Sequence, residues 1–433
     1  MATQRAVRVS GDENLKSPSG RGSNSASVRR YNERLLLQAL RRNEPASKAD
    51  LARHANLTST AVGSIVDSLG RAGLIEYTGR RLEGQRGQPA SLLRLDPRGA
   101  FGIGVRLDRT SIETVLVNFA GDVLARSALD TVLPHPSAVL KIVERDIANM
   151  LGLLSESERD RLTGIGVAQP YNLGSWLREL GVSADTLSAD TFRAWDQADF
   201  PDALSRALGL PVFSENDGNA AAIAELFYGH GRRCDDFVYL FLGSAIGGGI
   251  AIDGDCLRGA TGNAGDIGVI PVPPSRLPSA PQPSGPWDIL LSRASLNALV
   301  RHLNYSGAAA DNRIDLQSCI ERRLPAVEEW IDDCIEALAP ALRATLCVLD
   351  VPMVVLDSDV DGGLLDRLIE RLSATMTANA PESRGTPRLV RGSFGPDAGA
   401  IGAATLPMFF NFSPRVGLHR GAGAKSQEVN HAA

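Results

Sequence analysis

The chain has 433 residues, of which 43% are apolar and 22% are charged, and this length and composition predict substantial cores in more than one domain. No apolar run is long enough to span a membrane, and residues 1–30 lack an apolar segment, so we expect neither export nor membrane insertion and predict a cytoplasmic protein. The five cysteines include no Cys-x-x-Cys pair, which favours reduced, buried thiols and argues against a structural zinc site.

The charge is unevenly distributed along the chain. Residues 27–95 contain 12 basic and 6 acidic residues, whereas residues 96–433 contain 29 basic and 42 acidic residues. A basic region in front of an acidic body predicts a module that binds a polyanion, attached to a second unit with another task. Residues 1–26 and 415–433 are polar, small or without periodicity, and we expect both to be flexible tails.

The first predicted domain, residues 27–95, has the pattern of three short helices and a hairpin. Leucines at 36, 37 and 40 share one face of the first helix, and Ser47 is a candidate N-cap for the second. Thr58 or Ser59 would cap the third helix, in which apolar residues recur three and four apart, and Gly73 would end it. The segments "LIEYT" and "ASLLRL" are predicted strands on either side of the basic, Gly-rich tip "GRRLEGQRGQP".

This order of elements predicts a winged helix-turn-helix that binds double-stranded DNA. In such a domain the third helix enters the major groove, and arginines of the wing contact phosphates or a narrow minor groove. A helical domain that mediates protein contacts is the alternative, which the basic hairpin makes less favourable. The residues predicted to contact DNA are Thr58, Ser59, Thr60, Gly63 and Ser64 on the helix, and Arg80, Arg81, Arg86 and Gln88 on the wing.

Residues 96–414 are predicted to form an α/β body with two lobes. Short strands alternate with helices from "FGIGVRL" to "VPMVVLDS", and more than 300 residues would make one sheet unusually large. The turn in "FLGSAIGGGIAIDG" is rich in glycine, which permits the backbone to approach an anion or a sugar, although such turns are also common without a ligand. It lacks the Gly-Lys-Ser/Thr of a P-loop.

Carboxylates and amides in the body suggest a site for a polyhydroxylated ligand. Asn216 and Asp217 precede a helix in "SENDGNAAAIAEL", Asp266 lies in a Gly-punctuated loop, and Asp288 lies at the start of a predicted helix. Such groups accept and donate the paired hydrogen bonds that adjacent hydroxyls require. Asp217 has three possible roles, which are a ligand-binding carboxylate, a helix N-cap and a catalytic base, and the first two are compatible.

The ordered motifs "SENDGNAAAIAELFYG", "LGSAIGGG", "RGATGNAGDIG" and "GPDAGAIGAA" resemble the ROK family of repressors and sugar kinases. With the winged helix-turn-helix in front, the layout resembles the repressor branch of that family, which includes xylose and N-acetylglucosamine repressors. The resemblance implies an actin-like, sugar-kinase-type body that binds ligand and dimerises over residues 96–414. It also implies a homodimer or higher homo-oligomer, and binding to operator DNA that a sugar or sugar derivative relieves.

The resemblance also shows departures that argue against catalysis. Asp217 stands at the position of the general base of ROK kinases, but the Gly-Gly of their first phosphate loop is replaced in "VRLDRTSIE", where Asp108 and Thr110 flank Arg109. The segment "GDIGV" places Asp266 where the family has Glu and Val269 where it has a His that contacts sugar and zinc. The zinc-binding cysteines are absent, and Asp288 is a candidate substitute for the Glu that follows them.

The prediction from the sequence is therefore a regulator that is not an enzyme and that uses no cofactor and no metal. It would repress genes of carbohydrate uptake or metabolism and respond to a sugar-like ligand bound by Asn216, Asp217, Asp266 and Asp288. Two alternatives stay open at this stage. One is a sugar kinase that phosphorylates a hexose with ATP, and the other is a regulator whose pocket has decayed and which a protein partner controls.

Overall fold

The N-terminal region folds as three helices and a small antiparallel sheet in the computed structural model, which describes residues 25–81, 90–174, 189–282, 285–310, 312–360, 362–382 and 385–414. Its elements are α1 (Ser25–Arg42), β1 (Ala46–Ser47), α2 (Lys48–Ala55), α3 (Ser59–Arg71), β2 (Ile75–Arg81) and β3 (Ala90–Leu95). The strand order is β1-β3-β2, so a short strand that the sequence did not predict completes the sheet. The winged helix-turn-helix is confirmed.

Local capping explains where the two short helices begin. The Ser47 hydroxyl accepts a hydrogen bond from the Asp50 amide, and the Asp50 carboxylate accepts one from the Ser47 amide at 3.0 Å, so both unpaired donors are satisfied. The Thr58 hydroxyl accepts a hydrogen bond from the Ala61 amide at 3.3 Å and caps α3. The apolar faces of the helices meet in a core that contains Leu36, Leu37, Leu40, Leu51, Val62, Ile65, Val66 and Leu69.

The first lobe of the body is a mixed sheet with helices on both faces. Its elements are β4 (Phe101–Leu107), β5 (Ser111–Asn118), β6 (Val123–Asp130), α4 (Pro136–Gly152), α5 (Glu156–Arg159), β7 (Leu162–Gln169), α6 (Ala189–Gln197), α7 (Phe200–Leu208), β8 (Val212–Asn216) and α8 (Asp217–Phe227). The strand order is β6-β5-β4-β7-β8, antiparallel through β6, β5 and β4 and parallel from β4 to β8.

The second lobe repeats the plan of a mixed sheet covered by helices. Its elements are β9 (Phe237–Leu242), β10 (Ile246–Ile252), β11 (Asp255–Cys256), β12 (Pro271–Val272), β13 (Asp288–Ile289), α9 (Leu290–Ala294), α10 (Leu296–Tyr305), α11 (Arg313–Glu321), α12 (Pro325–Leu349), β14 (Met353–Ser358), α13 (Gly362–Ala378) and β15 (Arg388–Arg391). The sheet order is β11-β10-β9-β14-β15, and β12 pairs with β13 apart from it. The predicted two-lobed α/β body is confirmed.

The last helix, α14 (Ala398–Phe412), returns to the first lobe and packs directly on its sheet. Glycines allow this close approach, because a Cβ atom on Gly104 of β4 would overlap the backbone of Ala400 and Ala404. Helix α14 also packs along α8, and Gly402 faces the backbone of Ala220. The two helices and the sheet therefore meet backbone to backbone, with almost no space left for side chains.

Part of the predicted wing and most of the two predicted tails fall outside the described residues. Arg86 and Gln88 of the wing, and the two predicted tails except for residues 25 and 26, fall outside the described residues, and of Arg81 only the backbone in β2 is described. None of the helices in the described ranges combines the length and the apolar character that a membrane span requires. Thr58, Ser59, Thr60, Ser64 and Arg80 are all exposed, and Gly63 is partly exposed.

Replacing Gly104 by Ala is expected to lower the free energy of unfolding by about 1–3 kcal/mol, because the added methyl group would force α14 away from the sheet. Gly152, the last residue of α4, has no atom within 4 Å of the position of a Cβ, so Gly152→Ala is the matched control and should not destabilise the protein. Urea titration of both variants measures the difference, and equal midpoints would contradict the proposed close packing.

Candidate functional site

A cleft lies between the two lobes, where the end of β8 and the start of α8 face the turn between β9 and β10. The hairpin between β4 and β5 lines it from the first lobe, and the loop of residues 263–269 lines it from the second. The polar or charged residues at this cleft are Arg106, Asp108, Arg109, Tyr171, Asn216, Asp217, Ser244, Asn263, Asp266 and Asp359. Three of the four predicted ligand-binding residues thus come together, although they are separated by up to 50 positions in sequence.

Asn216, and not Asp217, is the N-cap of α8. The Asn216 Oδ1 atom accepts a hydrogen bond from the Gly218 amide at 2.9 Å, and Asp217 is the first residue of the helix. The Asp217 Oδ1 atom accepts a second, bifurcated bond from the same amide at 2.9 Å. The reading of Asp217 as only a cap is therefore wrong, because the neighbouring amide side chain already caps the helix and the Asp217 carboxylate is left to line the cleft.

A chain of hydrogen bonds joins the two sides of the cleft. The Asn216 Nδ2 atom donates to the Asn263 Oδ1 atom at 3.2 Å, and the Asn263 Nδ2 atom donates to the Asp266 Oδ2 atom at 2.8 Å. Partial burial raises the pKa of Asp266, and the bond from Asn263 opposes this rise. The sequence reasoning missed Asn263, whose signal was its position three residues before Asp266 in the same Gly-punctuated loop.

Asp288 does not belong with the other three residues, which corrects the expectation of a set of four. It lies in β13, where it pairs with Val272 of β12, and its Oδ1 atom accepts a hydrogen bond from the Ile289 amide at 2.8 Å. The sequence predicts the start of a helix at this position, but a two-residue strand precedes α9, and Asp288 is not among the residues that line the cleft.

Arg106 is a buried cation that joins carboxylates from both lobes. Its guanidinium lies 3.1 Å from Glu113, 3.9 Å from Asp108 and 3.6 Å from Asp359, the residue that follows β14 in the second lobe. Burial alone would lower the pKa of Arg106, but the carboxylates of Asp359, Asp108 and Glu113 outweigh it and raise the pKa above its ordinary value. This cluster could not be predicted from the sequence, because Arg106, Glu113 and Asp359 lie on or directly after three separate strands.

The acids around Arg106 are not fully neutralised by it. Burial raises the pKa of Asp217, and Arg106 and Arg109 oppose the rise while Asp108 adds to it. Burial likewise raises the pKa of Asp359, against the attraction of Arg106. Two arginines therefore face at least four carboxylates at this end of the cleft. A cationic group or a set of hydroxyl donors would bind there more favourably than a further anion.

Two backbone amides of the hairpin between β4 and β5 already donate to acceptors within the chain. The Arg109 amide donates to the Asp108 Oδ1 atom at 2.7 Å, and the Asp108 amide donates to the Ser111 carbonyl at 2.9 Å. The Arg109 side chain is itself largely buried and lines the cleft. Neither of these two amides is therefore free to bind a phosphate.

The predicted role of the Gly-rich segment changes with the structure. Gly247, Gly248 and Gly249 lie in β10 and not in a turn, and a Cβ atom on Gly248 would overlap the backbone of Gly265. On the other side, Gly218 at the start of α8 meets the backbone of Gly248 equally closely. These glycines serve to pack α8 and the 263–269 loop against the strand, which places Asn216, Asp217 and Asp266 around one space.

The cysteines follow the prediction except at one position. Cys319 and Cys334 are buried and Cys234 and Cys256 are partly buried, but Cys347 is exposed near the end of α12, where the helix turns that face to the surface. All five are free thiols. Among the residues that the structure describes, no group of three or more His, Cys, Asp and Glu side chains is arranged to hold a metal ion.

Comparisons with known proteins match both parts of this architecture. The sequence model of the ROK family matches residues 102–408, and that of a winged helix-turn-helix DNA-binding domain matches residues 29–76. The uncharacterized protein y4fQ of Sinorhizobium fredii is 30% identical over 88% of this chain and 91% of its own length. The xylose repressor of Caldicellulosiruptor bescii is 25% identical over 57% of this chain and 59% of its own length.

One solved structure reproduces the whole layout. It is the crystal structure of a ROK family transcriptional regulator described as a homologue of the Escherichia coli MLC protein, and it superposes with a TM-score of 0.63 over 91% of this chain and 100% of its own. At 21% sequence identity, this likeness shows that the two proteins share a fold.

Replacing Arg106 by Met is expected to destabilise the protein by about 3–5 kcal/mol near neutral pH, because the buried carboxylates lose their counter-ion. The loss should shrink as the pH falls. The pKa values of Asp217 and Asp359 are already raised, and removing the cation raises them further, so both acids become neutral sooner in the variant and the repulsion disappears.

Urea titrations at about pH 8 and about pH 5 measure this dependence. Arg126→Met is the matched control, because the Arg126 guanidinium pairs with Asp397 at the surface, where an ion pair contributes about 1 kcal/mol or less. A loss of equal size at both pH values would show that Arg106 stabilises the lobes by packing and not by its charge.

Proposed function

The chain belongs to the ROK family, and on that premise we propose that it is a DNA-binding transcriptional regulator that a sugar-like ligand controls. It would repress genes of carbohydrate uptake or metabolism, as a homodimer or higher homo-oligomer on a palindromic operator. A protein with this task works in the cytoplasm. The observation that carries the proposal is the joining of a winged helix-turn-helix to a ROK-type body whose cleft is lined by carboxylate and amide side chains.

The DNA-binding domain presents the side chains that recognition requires. Thr58, Ser59, Thr60 and Ser64 are exposed at the start of α3, where small side chains permit close approach to base edges. Arg80 is exposed on β2 at the base of the wing, and we expect it to contact a phosphate. The roles of Arg81, Arg86 and Gln88 remain proposals that rest on their positions in the sequence alone.

The cleft supports a sugar or polyol as the effector. Asn216, Asn263 and Asp266 form one hydrogen-bonded chain, and Asp217 faces the same space. Phe241, Leu291 and Val269 add apolar surface against which the C–H groups of a sugar ring can pack. The relatives named xylose repressors make D-xylose the first compound to examine, followed by D-glucose and N-acetyl-D-glucosamine.

We further propose that the protein does not transfer phosphoryl groups. Phosphoryl transfer depends on positioning and neutralising phosphates, and at the hairpin between β4 and β5 the amides of Asp108 and Arg109 already bind acceptors within the chain. Incubation of the purified protein with ATP, Mg²⁺ and each of the three sugars should therefore release no ADP above a protein-free blank. Sugar-dependent ADP release would overturn this and restore the kinase alternative.

Asp217→Asn is expected to abolish the response to the effector while leaving the fold and operator binding intact. The substitution keeps size and shape but replaces a charged acceptor by an amide, which should weaken hydroxyl binding by about 1–3 kcal/mol. Helix α8 keeps its cap, because Asn216 supplies it. The measurement is the affinity for a duplex that the wild-type protein selects from a random library, with and without each sugar.

Asp202→Asn is the matched control, because Asp202 is an exposed carboxylate on α7 that pairs with Arg206 on the same helix. It should respond to sugar like the wild type. If Asp217→Asn instead loses thermal stability and DNA binding but still binds sugar by calorimetry, then Asp217 is a structural residue and the cleft recognises its ligand through other groups.

A further inference from the structure

Arg41, in the last turn of α1, is buried between the DNA-binding domain and the body. Only 5% of its surface is exposed, and its Cζ atom lies 3.5 Å from the ring centroid of Phe227 and 5.5 Å from that of Phe119. Its Nε and Nη2 atoms donate to no acceptor among the residues that the structure describes. Burial lowers the pKa of Arg41 to about 10, so the side chain is still a cation at neutral pH.

A buried cation in this position depends on its aromatic neighbours. The faces of aromatic rings attract a guanidinium, and the attraction is strongest when water is excluded. Phe227 is the last residue of α8, and Phe119 directly follows β5. The two ring contacts of Arg41 therefore come from the ends of two elements of the body, while Glu44 of the DNA-binding domain also acts on its charge.

Both of these elements begin in the cleft. Helix α8 starts at Asp217, and β5 starts at Ser111, directly after the hairpin that carries Asp108 and Arg109. The 11 residues of α8 span about 16 Å, and from Gly218 to Phe227 every residue is buried. A helix packed on all sides moves as a unit, so a displacement at its start in the cleft reaches Phe227 at its other end.

A second contact between α1 and the body, the ion pair of Arg42 with Asp235, does not involve residues that line the cleft. The guanidinium of Arg42 pairs with the carboxylate of Asp235, with 3.3 Å between its Nη1 atom and Oδ2, in the segment before β9. This pair is partly exposed and belongs to the second lobe. The two adjacent arginines thus differ in what they contact, because Arg42 tethers α1 to the surface of the body and Arg41 lies between two rings whose spacing α8 and β5 determine.

We propose that Arg41 is the positioning residue through which occupation of the cleft changes the placement of the DNA-binding domain. The inference rests on the proposed function, since it assumes that the cleft binds the effector. A ligand that contacts the start of α8 shifts Phe227 relative to Phe119, and the cation between them must follow or lose its ring contacts. Helix α1 moves with it, and the orientation of α3 in the two subunits changes with α1.

The test replaces Arg41 by Met, a side chain of similar length that fits between two phenyl rings without charge. We expect the variant to fold, to bind the most tightly held of D-xylose, D-glucose and N-acetyl-D-glucosamine, and to bind the selected duplex. The change in duplex affinity on adding that sugar, about fivefold or more in a typical coupled system, should fall below about twofold. Arg41→Lys keeps a cation and should retain most of the response.

Arg29→Met is the matched control, because Arg29 lies on the same helix, has 54% of its side chain exposed and pairs with Glu33 of that helix. The Arg29→Met variant should show the same sugar-dependent change in duplex affinity as the wild type, even if its affinity for DNA is altered equally with and without sugar. A full response in Arg41→Met would overturn the proposal, and so would an equal loss in Arg29→Met. Failure of the wild type to bind any sugar or duplex would instead overturn the proposed function.

A second measurement needs neither sugar nor DNA. Gly247 of β10 faces the cleft, and a Cβ atom there would be 3.5 Å from the Cα atom of Gly218, in ordinary contact with the start of α8. Gly247→Leu therefore pushes on α8 as a ligand would. It should speed amide hydrogen exchange in residues 34–42 of α1 severalfold when Arg41 is present and leave it unchanged when Met replaces Arg41. Equal exchange in both backgrounds would overturn the proposal.

Discussion

The body depends on the close approach of α8 and α14, which pack against each other and against both sheets. Gly402 of α14 meets the backbone of Ala220, Gly104 of β4 meets α14, and Gly218 of α8 meets Gly248 of β10. Side chains at these points would separate the layers. Because the backbones touch, the helices transmit displacements without the slack that larger side chains in alternative rotamers would introduce. The cleft lies at the end of α8 that faces the second lobe, so the same packing positions Asn216 and Asp217.

Electrostatics decides what the cleft can hold. Arg106 draws together carboxylates of two strands and of the opposite lobe, and this attraction stabilises one relative position of the lobes. The cost is a site in which acids outnumber bases, where the pKa values of Asp217 and Asp359 are raised. A nucleotide phosphate would meet these acids, and the amides of Asp108 and Arg109 are already hydrogen-bonded within the chain. Neutral hydroxyl groups meet acceptors instead, which favours a sensor of sugars over an enzyme that uses ATP.

How far the sequence predicts this structure depends on the range of the interactions involved. The caps at Ser47 and Thr58 and the buried face of α3 follow from residues three and four apart, and they were predicted and confirmed. The positions of Asn216, Asp217 and Asp266 were suggested by ordered motifs. Asp288 was misplaced because a short strand interrupts the predicted helix start. Arg106 and Arg41 could not be found, because each acts through contacts with residues far away in sequence.

A regulator makes fewer demands on the interactions with its ligand than an enzyme makes on those with its substrate. It need not stabilise a transition state, but only bind one arrangement of the lobes more tightly than another, and the shift cannot exceed that difference in affinity. The hydrogen-bonded chain from Asn216 through Asn263 to Asp266 crosses the cleft, so a ligand inserted into it necessarily bears on both lobes. Arg106 joins the two lobes by its ion pair with Asp359 near the start of α8. Arg41 contacts Phe227 at the other end of that helix. Under the proposed coupling, a polar ligand that displaces the start of α8 would alter the contact between Arg41 and the Phe227 ring at the other end of that helix.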